Sequence, residues 1–371
     1  MALSNITVRQ ENKKKVYQAI LKEDKISRVQ LAEQLNLSFP TVTSNIKQLI
    51  DEGLVKEDGE LFSTGGRKAS IVSSVPNARI SVGIDITQNH VGFAIVNLKG
   101  ELISHIRFVQ KFENSDNYNN SVYNQLLHFL AENSIPLNLI LGAGISIPGI
   151  VESDKKTLKY SHLLGIFNKT TIGLQNKLNF PSILSNDATA ASLAELSKSD
   201  DSDMVFLSLS NSVGGAFILD GKCVAGNNMH NGEFGHLVFI PGGKKCYCGA
   251  KGHFDSYCSA QVLSSVCGGH LNTFFQKLSM NDRECRKAFN EYIDYLSIMI
   301  CNLHTAFDLP IVLGGYVGSY LVPYLDEIKQ KVEVLDTFKD DTSYLRTCFY
   351  KQEGAAIGSA LHFINSFIEN I

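Results

Sequence analysis

The sequence predicts two unlike parts, a small helical domain with a β-wing and a larger α/β core of two lobes. Three observations support this prediction. The first 75 residues carry short helical patterns followed by strand-forming residues around Asp58-Gly59. From Arg79 onward, apolar strand-like runs alternate with helical patterns, as in α/β folds. The alternation occurs twice, and a loop rich in glycine and cysteine lies in the second set between Asn231 and Asp255.

Composition limits the classes of protein that are possible. The chain has 371 residues, of which 44% are hydrophobic, enough for two or three domains with buried cores. The first 75 residues have a net charge of +2 and the remainder −5. The eight cysteines show no regular disulfide spacing. Because we find no signal peptide and no apolar run of about 20 residues, we expect a soluble cytoplasmic protein with reduced thiols and no membrane contact.

Residues 1–75 predict a helix-turn-helix arrangement. Apolar residues recur at helical spacing in Lys13–Lys22, in Leu31–Leu35 and again after Ser38. Ser38 is a suitable N-cap for the third helix, and Pro40 suits its first turn. The face opposite the apolar stripe of this helix presents four polar or cationic side chains: Thr41, Ser44, Lys47 and Gln48. Such a set suits the major groove of DNA.

The segment after the third helix predicts a wing and a linker. Residues 54–56 and 60–62 are expected to form two short strands joined by a hairpin turn at Asp58-Gly59. Gly65-Gly66 then precedes Arg67-Lys68, and Arg67 is expected to enter an adjacent minor groove. Together these features favour a winged helix-turn-helix that binds DNA. The alternative is a three-helix interaction module whose polar face meets water.

The cysteine-containing loop predicts a metal site. It holds two thiols and two imidazoles, which match a closed tetrahedral zinc site: His236, Cys246, Cys248 and His253. Glycines at 242, 243, 249 and 252 allow the sharp turns that bring these side chains together. The alternative is a glycine-rich surface loop with two incidental cysteines.

The sequence Ser185-Asn186-Asp187-Ala188 predicts a ligand site in the core. It lies where a strand ends and a helix begins, the edge at which α/β sheets bind ligands. An amide and a carboxylate suit sugar hydroxyls, which both donate and accept hydrogen bonds. The alternative is that Asn186 and Asp187 simply cap the helix.

These motifs resemble those of the ROK family, the bacterial group of repressors, open reading frames and sugar kinases. The loop matches Gly-Glu-x-Gly-His followed by Cys-x-Cys-Gly-x-x-Gly, and the N-terminal domain matches in three places: Ser27-Arg28-x-x-Leu31-Ala32, Leu37-Ser38-x-x-Thr41-Val42 and Thr64-Gly65-Gly66-Arg67. The chain departs from the family at His253, Asp255 and Lys68, where cysteine, glutamate and proline are usual. The resemblance covers nearly the whole chain.

The resemblance implies a two-lobed core of the actin and hexokinase type and a set of sugar contacts. The implied domains are a winged helix-turn-helix in residues 1–75, a first lobe in 76–187 completed by a C-terminal helix in 355–371, and a second lobe in 188–354. The implied sugar contacts are Asn186, Asp187, Glu233, His236 and Asp255. In kinase members of the family, the residue equivalent to Asp187 is the general base.

The phosphate-binding loops differ from those of the kinases that the chain resembles. Kinase members have Asp-x-Gly-Gly-Thr-Lys in the first lobe, whereas this chain has side-chained residues at both glycine positions, Thr87 and Gln88, after Asp85. Side chains there hinder the close approach of backbone N–H groups to phosphate. Residues 210–215 keep only part of the second glycine-rich loop, while Gly314-Gly315 remains. The sequence therefore predicts a sugar cleft without a working ATP site.

The sequence favours a sugar-responsive transcriptional regulator, most simply a repressor of carbohydrate-utilisation genes. It is expected to bind double-stranded operator DNA as a homodimer or tetramer, with a small carbohydrate as effector and structural zinc in the loop. One alternative is an ATP-dependent sugar kinase with an appended DNA-binding domain. Another is a regulator controlled by a protein of the sugar phosphotransferase system.

Overall fold

The computed structural model describes residues 5–61, 69–339 and 341–371, so Arg67 and the rest of the predicted linker lie outside the described residues. The N-terminal domain has three helices and a three-stranded sheet in the order β1-β3-β2. Its elements are α1 (Asn5–Lys22), β1 (Ile26–Ser27), α2 (Arg28–Leu35), α3 (Phe39–Asp51), β2 (Val55–Leu61) and β3 (Ala69–Ser74).

Helix α3 begins where the sequence predicts. The Ser38 hydroxyl accepts the backbone N–H of Thr41 at 3.3 Å, and Pro40 lies in the first turn. Val42 and Ile46 on the opposite side are fully buried against α1 and α2. Burying this stripe orients the helix, which leaves its polar face outward.

The wing differs from the sequence prediction. Strand β2 runs straight through Asp58-Gly59, so the predicted hairpin turn at these residues was wrong. The partner of β2 is β3, and the pairing shifts register between Glu57 and Glu60. Gly59 has φ +91°, a conformation that favours glycine. Its backbone freedom therefore serves a bulge within the strand rather than a turn between two strands.

The core consists of two α/β lobes, as the sequence predicts. Its strands are β4 (Ile80–Ile86), β5 (His90–Asn97), β6 (Leu102–Val109), β7 (Ile140–Ile147), β8 (Ile150–Val151), β9 (Thr157–Tyr160), β10 (Thr170–Thr171), β11 (Ser182–Asn186), β12 (Met204–Leu209), β13 (Val213–Leu219), β14 (Lys222–Cys223), β15 (Ile311–Gly314) and β16 (Leu345–Thr347). Its helices are α4 (Asp116–Glu132), α5 (Asp187–Leu196), α6 (Asp255–Cys258), α7 (Ala260–Ser264), α8 (Leu271–Ser279), α9 (Arg283–Phe307), α10 (Gly315–Gly318), α11 (Leu325–Leu335) and α12 (Gly354–Glu369).

Each lobe is built on one five-stranded sheet. The first has the order β11-β7-β4-β5-β6 and the second β14-β13-β12-β15-β16. In the first sheet, β11, β7 and β4 run parallel, whereas β4, β5 and β6 form an antiparallel meander. The carboxyl ends of the parallel strands therefore meet at one edge, where α5 starts directly after β11.

The last helix, α12, packs on the first sheet and on α5. Its approach is close enough that a Cβ at Gly83 of β4 would collide with the carbonyl of Ala356. At its C-terminal end α12 also contacts the N-terminal domain, where the Lys14 ammonium lies 2.6 Å from Glu369 and Ile20 shares an apolar cluster with Ile364. One helix thus touches both the core and the N-terminal domain.

Within residues 5–61, 69–339 and 341–371, every helix is too short or too polar to cross a membrane.

Candidate metal centre and interlobe cleft

Four predicted metal ligands meet in the loop of the second lobe. One ligand atom from each of His236, Cys246, Cys248 and His253 lies within 4.8 Å of the others. Nδ1 of His253 is 3.3 Å from Nδ1 of His236 and 3.3 Å from Sγ of Cys248. Ligands of a tetrahedral zinc ion, at roughly 2.0–2.3 Å from the metal, are themselves about 3.3–3.8 Å apart. The two distances are close to that range.

The backbone of the loop explains why these side chains converge. The N–H of Cys246 donates to the carbonyl of Ala250 at 2.8 Å, and the N–H of Gly249 donates back to Cys246 at 2.9 Å. Gly249 has φ +94°, which permits the tight turn between them. Burial raises the pKa of the Cys246 thiol to about 11. The thiol is therefore protonated at neutral pH unless a cation such as zinc stabilises the thiolate.

The other nitrogen of the His236 ring lies near two oxygen-bearing side chains. Its Nε2 lies 3.0 Å from the hydroxyl of Tyr247 and 3.9 Å from a carboxylate oxygen of Glu233. Across the lobes, the rings of Tyr247 and His162 have their centroids 6.1 Å apart. The sequence motif identified Glu233 but missed Tyr247 and His162, because neither belongs to a ligand pattern.

A cavity of about 480 Å³ lies between the lobes, next to the loop that carries the four predicted ligands. Asn186 and Glu233 line it, as do Lys155 and two residues of α12, Ser359 and His362. Small-molecule sites typically measure about 300–1,000 Å³ and combine apolar walls with a few polar groups. The cavity is therefore large enough for a monosaccharide.

Of the five predicted sugar contacts, Asn186 and Glu233 line the cavity, whereas Asp187, His236 and Asp255 do not. The Asn186 side chain accepts the N–H of Thr189 at 3.0 Å and donates to the carbonyl of Gly149, so it caps α5 as well as lining the cavity. Asp187 lines a separate, narrow cleft. Asp255 is buried, and its carboxylate accepts the backbone N–H of Val213 at 2.7 Å.

Burial raises the pKa of three of these carboxyls. It raises the pKa of Asp187 to about 6, with a further contribution from the nearby Asp85. Burial and then the charge of Asp187 raise the pKa of Glu233 to about 7. Burial likewise raises the pKa of Asp255 to about 6. A carboxyl that titrates near neutrality can either donate or accept a hydrogen bond, which suits a hydroxyl-rich ligand.

The narrow cleft beside Asp187 has a volume of only about 40 Å³. Arg107 of β6 lies 3.0 Å from one carboxylate oxygen of Asp85, while Ser146 donates to the other at 2.7 Å. The same guanidinium donates to the hydroxyl of Tyr316 in the second lobe at 2.5 Å. Tyr316 follows Gly314-Gly315, so Arg107 connects the two segments that resemble the phosphate loops of kinases. A space this small holds a few water molecules. A larger cavity of about 640 Å³ is also lined by Asp85 and Arg107. Arg107 and Tyr316 carry no motif, and the sequence did not identify them.

The predicted DNA-reading face of α3 is largely accessible. Ser44 and Lys47 are exposed, whereas Thr41 and Gln48 are partly buried. The Thr41 hydroxyl also bonds that of Ser38 at 2.8 Å.

Comparisons with known proteins agree with this architecture. A sequence model of the ROK family matches residues 81–365, and one described as winged helix-turn-helix DNA-binding matches residues 9–56. The chain belongs to the ROK family. It is 28% identical to the xylose repressor of Bacillus subtilis over 98% of this chain and 97% of that protein.

Two solved structures share its fold. A ROK family transcriptional regulator described as a homologue of the Escherichia coli MLC protein has a TM-score of 0.73 and 21% identity, covering 98% of this chain and 97% of its own. A ROK family glucokinase from Streptomyces griseus, solved with glucose and AMPPNP, has a TM-score of 0.64 and 18% identity. That match covers 76% of this chain and 98% of the glucokinase.

Proposed function

We propose that this ROK family member is a transcriptional repressor whose affinity for operator DNA changes when a carbohydrate binds between its lobes. The observation that carries the proposal is the position of α12. This helix lines the 480 Å³ cavity through Ser359 and His362, and its far end contacts α1 of the winged helix-turn-helix domain. A ligand that binds one arrangement of the lobes better than another therefore acts on the DNA-binding domain through a direct physical contact. The similarity to a xylose repressor supports the same proposal.

We further propose that the chain does not transfer phosphate from ATP. The Arg107 guanidinium donates to the Tyr316 hydroxyl between the segments that resemble kinase phosphate loops, and the cleft that Tyr316 lines there has a volume of only about 40 Å³. In the first of these segments the Thr87 hydroxyl bonds the backbone of His90, which closes the turn on itself. Both features favour a regulator over a sugar kinase with an added DNA-binding domain.

Zinc is the metal that we propose for the four-ligand cluster. Two thiolates and two imidazoles favour zinc, and a site without an open coordination position is structural. Zinc there would hold His236 in place beside Glu233. Its role is to shape the wall of the cavity.

For DNA binding, we propose that α3 enters the major groove through Thr41, Ser44, Lys47 and Gln48. Arg67 of the linker is proposed to reach the neighbouring minor groove. Two copies of the helix must meet half-sites about 34 Å apart, so we propose a homodimer as the smallest active unit.

The proposal is tested by measuring sugar binding and DNA binding on the same preparation. An operator is first selected from a pool of random DNA duplexes. Calorimetry then screens monosaccharides, including D-xylose and D-glucose, and fluorescence anisotropy measures operator affinity with each. We expect at least one sugar to bind and to change operator affinity by about tenfold or more, a coupling of about 1.4 kcal/mol. Sugar-dependent ADP release in the presence of ATP would instead identify a kinase.

A further inference from the structure

Two thiols outside the proposed metal centre lie against each other in the second lobe. Sγ of Cys267 is 3.7 Å from Sγ of Cys285. The sulfurs of a disulfide are about 2.05 Å apart, so an approach of roughly 1.7 Å would join them. The free thiols Cys258 and Cys301 differ from this pair, since the described contacts of their sulfurs are with backbone carbonyls.

The two cysteines differ in how firmly they are held. Cys285 is buried at the start of α9, where its N–H donates to the Asp282 side chain at 3.0 Å. Cys267 is partly exposed and ends a short turn, and the exposed residues Gly268 and Gly269 follow it. Both glycines have positive φ and open space where a Cβ would lie. The turn that carries Cys267 can therefore move toward Cys285, which α9 holds in place.

The environments of the thiols give them different chemical roles. Burial, and then the neighbouring Cys267 thiol, hold the pKa of the Cys285 thiol above its usual value, so this thiol is protonated at neutral pH. Cys267 is the more accessible of the two and is the one that a small reagent can reach.

We propose that Cys267 and Cys285 form a reversible intramolecular disulfide by exchange with a small disulfide such as oxidised glutathione. The Cys267 thiolate attacks one glutathione sulfur, the glutathione S–S bond breaks, and one glutathione thiolate leaves. The Cys285 thiol then gives up its proton to that thiolate or to water and attacks the Cys267 sulfur, releasing the second glutathione. Two protein thiols are oxidised, and one glutathione disulfide is reduced to two thiols.

The cross-link would join two segments of the second lobe. It ties the connection between α7 and α8 to the first turn of α9, and α7 itself adjoins the cleft, because the N–H of Ala260 donates to the carbonyl of Ser210 at 2.7 Å. A bridge across this span reduces the freedom of the unfolded chain, so the melting temperature should rise by several degrees.

Peptide mapping of the native full-length protein tests this proposal. The protein is treated with oxidised glutathione, its remaining thiols are alkylated, and the digest is analysed by mass spectrometry. We expect a cross-linked Cys267–Cys285 peptide, two hydrogens lighter than the reduced pair, that disappears with dithiothreitol. Cys267→Ser should abolish it, whereas Cys301→Ser, a matched change on α9, should leave it intact.

A second variant separates the two steps. In Cys285→Ser, Cys267 should accumulate as a stable mixed disulfide with glutathione. If wild-type protein instead stops at that mixed disulfide, or if Cys267 forms no disulfide at all, the proposal is wrong. The wild type and Cys267→Ser decide the question even if Cys285→Ser does not fold.

Discussion

Asp187 extends its carboxyl into the narrow cleft beside Asp85, and this position sets its ionisation. Its pKa in the folded state is about 6, above the ordinary value of 3.8, because burial and the charge of Asp85 disfavour the ionised form. A raised folded-state pKa contributes stability that is fully present below about pH 4 and is lost as pH rises through about 6. At pH 8, therefore, the ionised Asp187 weakens the fold.

The first prediction concerns the variant Asp187→Asn. It should be more stable than the wild type at pH 8 by about 1–3 kcal/mol, because each pKa unit corresponds to about 1.4 kcal/mol. Near pH 4 the difference should vanish. Urea unfolding at the two pH values measures it. An equal difference at both pH values would show that Asp187 does not titrate as described.

Arg107, unlike Asp187, is a residue whose loss should be costly. Its guanidinium pairs with Asp85, whose side chain is only 5% exposed, so Arg107→Ala leaves a buried carboxylate without its partner. Breaking a buried pair in this way costs about 3–5 kcal/mol. Lys25→Ala is the control, since its partner Asp58 lies at 3.4 Å on the surface, and such pairs contribute about 0–1 kcal/mol. Similar losses in the two variants would contradict the assigned role of Arg107.

At the scale of single elements, the Ser38 cap determines where α3 begins, and its buried apolar stripe determines which polar face points outward. Lys47 lies on that face and is exposed. We expect Lys47→Ala to weaken operator binding and, if Lys47 contacts phosphate, to lower the slope of log affinity against log salt by about one. Lys22→Ala, an exposed lysine at the end of α1, should leave both quantities unchanged. Equal effects of the two substitutions would mean that α3 is not the reading helix.

The loop that holds the four-ligand cluster of His236, Cys246, Cys248 and His253 is the element whose stability should depend most on a ligand. Wild-type protein should contain about one zinc ion per chain, and Cys246→Ser/Cys248→Ser should contain almost none, because two of four ligands are lost. The variant should also melt at a lower temperature. Cys223→Ser should retain the metal, because this thiol is outside the four-ligand cluster and its sulfur contacts the Thr189 hydroxyl. Full zinc content in the double variant, measured by elemental analysis, would exclude this site.

The sequence predicted those features whose pattern lies within a short stretch of the chain. The Ser38 cap, the apolar runs of the strands and the motif of the cysteine-containing loop are local patterns of this kind. The structure has the corresponding helix, strands and loop. The hairpin turn predicted at Asp58-Gly59 was wrong because a glycine with positive φ occurs in bulges as well as in turns. Only the pairing with the partner strand shows which of the two is present. The contact of Arg107 with Tyr316 joins residues more than 200 positions apart, which no local pattern reveals.

At the scale of the whole molecule, α12 connects the interlobe cavity with the winged helix-turn-helix domain. It packs closely both on β4 of the first lobe and on α5, which begins the second lobe, while its last turns contact α1. A sugar that changes the relation of the lobes changes a surface against which the DNA-binding domain rests. The size of the response is limited by the difference in sugar affinity between the two arrangements.

The most direct test measures operator affinity with and without the sugar that calorimetry identifies, in the wild type and in Glu233→Gln. Glu233 lines the cavity, so this variant should bind operator normally, bind the sugar about tenfold or more weakly, and need correspondingly more sugar to respond. The wild type should respond to the sugar with no ADP release from ATP. A sugar that binds the wild type tightly yet leaves operator affinity unchanged would contradict the account.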